Sequence, residues 1–160
     1  MKSESARYLG LLERRLELLA ALLRAVGEWR RAFIGMELQI AEASVQEQAQ
    51  LCATLGAIDA ELALLQTKHL ERAGLRLRGG EFAWPQTADT DPVVHNKIRA
   101  ALQRMVELQR DLRLANHVSQ AILAHSGRTL NALRNLFNSY APTYAAPPAP
   151  GVGAVYEETV

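Results

Sequence analysis

The sequence predicts an all-α fold: an elongated antiparallel helical bundle or coiled coil of three long helices, with a disordered proline-rich C-terminal tail. Three observations carry this expectation. Leu, Ala, Glu, Gln and Arg fill the 160 residues, and these side chains lose little rotamer freedom in a helix. Leucines recur at alternating three- and four-residue steps in three separate stretches, the spacing of a helix with one buried stripe. Only Pro85 and Pro92 precede Pro142, and the other prolines crowd into residues 142–150. One helical domain over residues 1–140 and a flexible tail over 141–160 follow from this division.

The first helix is expected over about residues 5–33. Leu9, Leu12, Leu16, Leu19, Leu23, Val26 and Phe33 form a heptad seam, interrupted by Arg30, that demands a partner helix. Leu11, Leu18, Leu22 and Trp29 widen the stripe beyond a two-stranded coiled coil, which favours a bundle position. Gly35 marks the break, because glycine just past a helix end tolerates positive φ. No proline or good N-cap follows it, so a continuous bent helix also fits the pattern.

A second helix is expected over about residues 37–76, with its seam clearest at Leu51, Leu55, Ile58, Leu62 and Leu65. Its earlier half, Gln39 to Gln50, is rich in Gln, Glu and Ala and should pack less tightly. Cys52 is the only cysteine, which excludes an internal disulfide and a cysteine-based metal site. Its apolar neighbours suggest a small core side chain. Arg78-Gly79-Gly80-Glu81 opens a loop that holds Phe82, Trp84 and Pro85. Such a loop either folds back on the bundle, the favoured reading, or serves as a contact site.

Asp91-Pro92 starts the third helix, since Asp caps orphan N–H groups and Pro fits the first turn. The helix is expected over about residues 92–138, roughly 70 Å of rod. That exceeds what a domain of this size needs for its own core, so some of it presents a surface to something else. Up to Leu112 the seam suits packing on the first two helices. Beyond Ala115, Asn116, Ser119, Ser126 and Thr129 fall on or beside it, while Ile122, Leu123, Leu130, Leu133, Leu136 and Phe137 keep it apolar. Small polar residues there suit an exchangeable interface; a helix that frays is the plainer alternative.

Several function classes fit poorly. The formal charge is +1, and arginines alternate with Glu and Asp rather than forming a block, so no nucleic-acid partner is expected. No apolar run reaches the ~18 residues of a membrane span, and charges break the N-terminal leucine-rich segment too early for a signal peptide, which points to the cytoplasm. None of His69, His95, His117 or His125 has Glu three residues before it, as di-iron bundles require. Gly79-Gly80 lacks the Lys and Ser/Thr of a phosphate loop. The sequence does not look like an enzyme, and no cofactor is expected.

At Leu114-Ala115-Asn116-His117-Val118-Ser119-Gln120-Ala121-Ile122-Leu123 the chain resembles the FlgN family of flagellar type III export chaperones. That family carries Asn-x-x-Asn-Gly-x-Leu-Leu near this point, then an amphipathic helix and a tail with Pro-Thr and Tyr. Asn116 matches the first Asn, Ile122 and Leu123 match the aliphatic pair, and Pro142-Thr143-Tyr144 resembles the tail motif. Ser119 stands in place of the second Asn, Gln120 in place of the Gly, and Ala145 where Gly often follows the tyrosine.

The resemblance implies a cytoplasmic chaperone, a monomer or weak homodimer, for hook-associated (hook–filament junction) proteins. It also implies that the C-terminal helix holds cargo and that the tail tyrosine docks on the cytoplasmic domain of the export gate. On this reading Asn116, Ser119, Ile122, Leu123, Leu130, Leu133, Leu136 and Phe137 meet cargo, and Tyr144 meets the gate. Each has a plainer reading too: the leucines as ordinary bundle core, Tyr144 as an idle tail residue. A self-assembling coiled-coil scaffold is the competing function.

Overall fold

The computed structural model describes residues 2–74, Trp84 and residues 91–140. Three helices make up the fold: α1 (Lys2–Ile34), α2 (Leu38–Arg72) and α3 (Pro92–Tyr140), with no strand among the described residues. The chain divides into two compact units, Met1–Gln120 and Ala121–Val160, so the division falls within α3. Phe82, Pro85, Gly79-Gly80, the expected second-helix end at Arg76 and the whole tail with Tyr144 lie outside the described residues.

The chain does reverse after α1, but not with glycine in the expected role. The N–H of Glu37 donates to the carbonyl of Ala32 at 2.8 Å, and that of Met36 to Phe33 at 3.2 Å. This is the paired bonding that closes a helix through one left-handed residue. Met36 takes that conformation, at φ 61°, while Gly35 sits one position earlier. Gly35 answers a different need: a Cβ there would stand 3.2 Å from the Arg31 carbonyl. A methionine in the left-handed region costs about 1–2 kcal/mol, part of which a glycine returns as unfolded-state entropy. Met36→Gly is therefore expected to stabilise the first unit by about 0.5–1 kcal/mol, read from the midpoint of urea unfolding.

The second helix ends at Arg72, short of the expected Arg76, because Gly74 supplies the stop with φ +67°. Its N–H donates to Glu71 at 3.2 Å, and that of Ala73 to His69 at 3.1 Å. Asp91 starts α3 as expected: its Oδ1 accepts the N–H of Val93 at 2.9 Å, beside Pro92 in the first turn.

The register of α1 on α2 can be read from polar cross-links. Glu4 pairs with Arg72, Arg7 with Glu61 and Arg15 with Asp59, while the Gln48 amide donates to the Ala25 carbonyl. Falling numbers on α2 against rising numbers on α1 define an antiparallel hairpin. Arg15 is the buried member, and its guanidinium grips the Asp59 carboxylate with two bonds, at 2.5 and 3.2 Å.

Between the helices lie Tyr8, Leu12, Leu18, Leu19 and Leu22 of α1 and Leu55, Leu62 and Leu65 of α2. Ile98, Ala101, Met105 and Leu108 of α3 complete the same cluster. The expected seam residues Leu9, Leu16 and Leu23 are only half-buried, whereas Leu18 and Leu22 are buried. A helix packed against two neighbours turns the middle of its stripe inward, so Leu18 and Leu22 join the seam residues Leu12, Leu19 and Val26 in the core while Leu11 and Trp29 stay half-buried. The early part of α2 offers the core only Ala41 and Ser44, in line with its expected looser packing. Cys52 departs from expectation: it is exposed. It follows Leu51 by one residue, a rotation of about 100° that carries it off the stripe.

Trp84 folds back onto the hairpin and is only 4% exposed. Its ring lies between Tyr8 of α1, at a centroid distance of 4.2 Å, and His69 of α2, at 3.9 Å and within 8° of parallel. Trp84 thereby packs against both helices. Tyr8 Oη and Trp84 Nε1 are buried with no hydrogen-bond partner among the described residues. Burial pushes the Tyr8 phenol well above its ordinary value, with the Arg15 charge pulling partly the other way.

The sign follows from which state ionises first. The unfolded phenol loses its proton near pH 10, while the folded one keeps it, so stability falls as pH rises above about 10. Tyr8→Phe is expected to match or slightly exceed the parent at pH 7, because it removes an unpartnered hydroxyl. It should also lose less stability between about pH 9 and 11, as followed by thermal melts across that range.

Candidate partner-binding surface

Burial along α3 changes in steps while the apolar spacing continues. Ile98, Ala101, Met105 and Leu108 are buried, and Leu112, Ala115, Val118 and Ser119 are half-buried, all within the first unit. In the second unit Ile122 and Ser126 are half-buried, and Leu130, Leu133 and Phe137 are exposed. From Ser126 the steps to Leu130, Leu133 and Phe137 are four, three and four residues. Those three side chains therefore share one helical face, on the spacing that fills the core in the first half of α3.

Exposure of this set is large: Leu130 is 66% exposed and Phe137 71%, with Leu123, Leu133 and Leu136 near one half. Scattered single leucines on a surface are ordinary, whereas these form an aligned row. Leu123 and Leu136 flank the row and widen it to the stripe that a helix partner needs.

The remaining sequence-derived candidates are not all alike. Asn116 is exposed and belongs to the first unit. Ser119, also in the first unit, turns its Oγ back to donate to the Ala115 carbonyl at 3.0 Å, so its hydroxyl serves its own helix. Ser139 and Thr129 do the same, toward Leu136 and His125. Tyr144 lies outside the described residues.

A second exposed apolar group went unremarked in the sequence. Ile34, Met36, Leu38 and Ile40 are all exposed at the α1–α2 reversal, with Met36 at 82%. Their signal was present in the run Phe33-Ile34-Gly35-Met36-Glu37-Leu38, where apolar residues surround a turn. Trp29 and Phe33 stack on each other near this end, with centroids 5.1 Å apart.

No three His, Cys, Asp or Glu side chains among the described residues gather as metal ligands would. An open depression along α3 is lined by exposed side chains of that single helix, the charged Arg104, Glu107, Arg110, Asp111 and Arg113 together with Leu114 and His117. No helix among the described residues is long and apolar enough to cross a membrane. No family model, curated protein or solved structure matches the chain.

Proposed function

We propose that the protein is a cytoplasmic flagellar export chaperone that holds hook–filament junction proteins and delivers them to the type III export gate. The observation that carries this reading is the row Leu130, Leu133 and Phe137, apolar at core spacing yet exposed. A cargo helix laid on it gains ~25 cal/mol per Å² of apolar surface before the cost of ordering is subtracted. Helix-in-groove recognition needs a stripe of matching period, and this surface provides one.

The FlgN-like pattern at Asn116, Ile122 and Leu123 and the Pro142-Thr143-Tyr144 motif support the same assignment. Tyr144 is the proposed gate contact, since a phenol combines an apolar ring with a polar tip suited to a small pocket. Binding of this kind holds the terminal segment of the cargo and keeps it unassembled.

Size-exclusion chromatography with light scattering, on the protein alone and mixed with purified junction proteins, tests the proposal. A monomer or weak dimer that becomes a 1:1 complex is the expected result. The exposed apolar tip at Ile34, Met36 and Leu38 is what a self-assembling scaffold would use. An identical large oligomer with and without junction proteins would establish that reading instead.

A further inference from the structure

We infer that the exposed row on α3 takes an acidic amphipathic helix, one whose apolar stripe is bordered by Glu and Asp. This rests on the reading of that row as a cargo face and adds the chemistry of what it holds.

The charge pattern of the chain is the starting observation. After Asp111 no carboxylate side chain occurs until Glu157. The stretch Ala121–Tyr140 therefore carries Arg128, Arg134 and His125 with no acidic residue at all. The other helices differ: α2 holds Glu42, Glu47, Asp59, Glu61 and Glu71 against Lys68 and Arg72. Among the described residues five arginines pair with carboxylates, in Arg7–Glu61, Arg14–Glu17, Arg15–Asp59, Arg72–Glu4 and Arg104–Glu107, and unpaired ones such as Arg24, Arg110 and Arg113 still share their stretch of helix with Glu28, Glu107 or Asp111. Among the described residues, no ion pair includes Arg128 or Arg134.

Position makes one of these charges decisive. Arg134 stands four residues after Leu130 and three before Phe137, so it borders the apolar row directly. A partner helix seated on the row would bring its flanking side chains within reach of that guanidinium. Carboxylates there gain a partner; ammonium groups meet a like charge with no neighbouring carboxylate to offset it.

Arg128 adds to the local field from another face. Two arginines over this length are too few for the several phosphate contacts of nucleic-acid binding, or for the cluster of four to eight cations typical of anionic lipid recognition. The apolar row with a sparse positive border fits a helix.

Three synthetic 21-residue peptides test the inference on the full chain. They share one leucine heptad and differ only in carrying Glu, Gln or Lys at the flanking positions. Fluorescence anisotropy at 50 mM NaCl is expected to rank them Glu, Gln, Lys, with about tenfold between the extremes. At 500 mM the three should converge. Arg134→Glu should shrink or reverse the order while leaving the Gln peptide within about twofold.

Equal affinities at 50 mM, preference for the Lys peptide or failure of all three to bind would overturn the inference. So would phosphatidylserine vesicles that displace the Glu peptide while it cannot displace them, or a self-dimer that no peptide dissociates. Junction proteins that bind while the charge series stays flat would sink this inference alone. The expected charge order without any junction-protein complex would sink the functional reading alone.

Discussion

Trp84→Ala is expected to lower the unfolding free energy of the first unit by about 3–5 kcal/mol, the usual range for deleting a buried indole. The ring is covered on both faces, by Tyr8 and by His69, so removing it empties a slot between two helices rather than a surface patch. Stacked pairs add about 0.5–1.5 kcal/mol beyond the area they bury, and two such pairs are lost together. Urea unfolding followed by circular dichroism at 222 nm measures the effect. Trp84→Phe should recover part of the loss by refilling the slot, and Tyr8→Phe should cost almost nothing. A loss below about 1 kcal/mol for Trp84→Ala would mean that the stack is incidental to stability.

What the sequence could reveal divides along a physical line. Features set by nearest neighbours were legible: Asp91-Pro92 begins a helix because one side chain caps and the next fits the first turn. The reversal after α1 was legible in place but not in mechanism. Glycine draws attention as the left-handed residue, yet here the backbone bonds from Met36 and Glu37 put methionine in that position. The stop at Gly74 rests on the same local logic, yet the expected helix ran past it to about Arg76. Contacts between distant segments were legible only in outline: the Trp84 loop was expected to fold back on the bundle, but not which side chains it would meet. Tyr8, His69 and Trp84 come from three elements, and none lies on a periodic pattern that names the others. Cys52 shows the opposite failure, where apolar neighbours in sequence suggested a core position that a rotation of about 100° denies it.

The candidate surface was half legible for a related reason. Heptad spacing places Leu130, Leu133 and Phe137 on one face, but the same letters serve a core and an exposed stripe equally well. Only the presence or absence of a packed neighbour decides, and that is a property of the fold. Met105 and Leu133 occupy equivalent seam positions twenty-eight residues apart, four heptads, yet one is buried and the other about half exposed. Sequence period finds the stripe; packing finds which part of it is left over.

The leftover part yields the second large effect. Leu130→Asp with Leu133→Asp is expected to weaken the complex with a junction protein at least about 100-fold, equivalent to roughly 3 kcal/mol. Full burial of a leucine is worth about 1.5–3 kcal/mol, and these two still have 66% and 45% of their surface to bury. Each aspartate would also meet an acidic partner as a like charge, so Leu130→Ser with Leu133→Ser should cost less by separating the apolar loss from the repulsion. Because both positions are exposed, unfolding of the first unit should shift by no more than about 0.5 kcal/mol. Leu62→Asp is the contrasting substitution: at 0% exposure it buries an unpaired charge and should abolish cooperative folding. Isothermal titration with the junction protein, paired with urea unfolding of each variant, separates a lost surface from a lost fold. A double aspartate variant that binds as tightly as the parent would place the cargo contact off this row, and the tip around Met36 would then be the surface to substitute next.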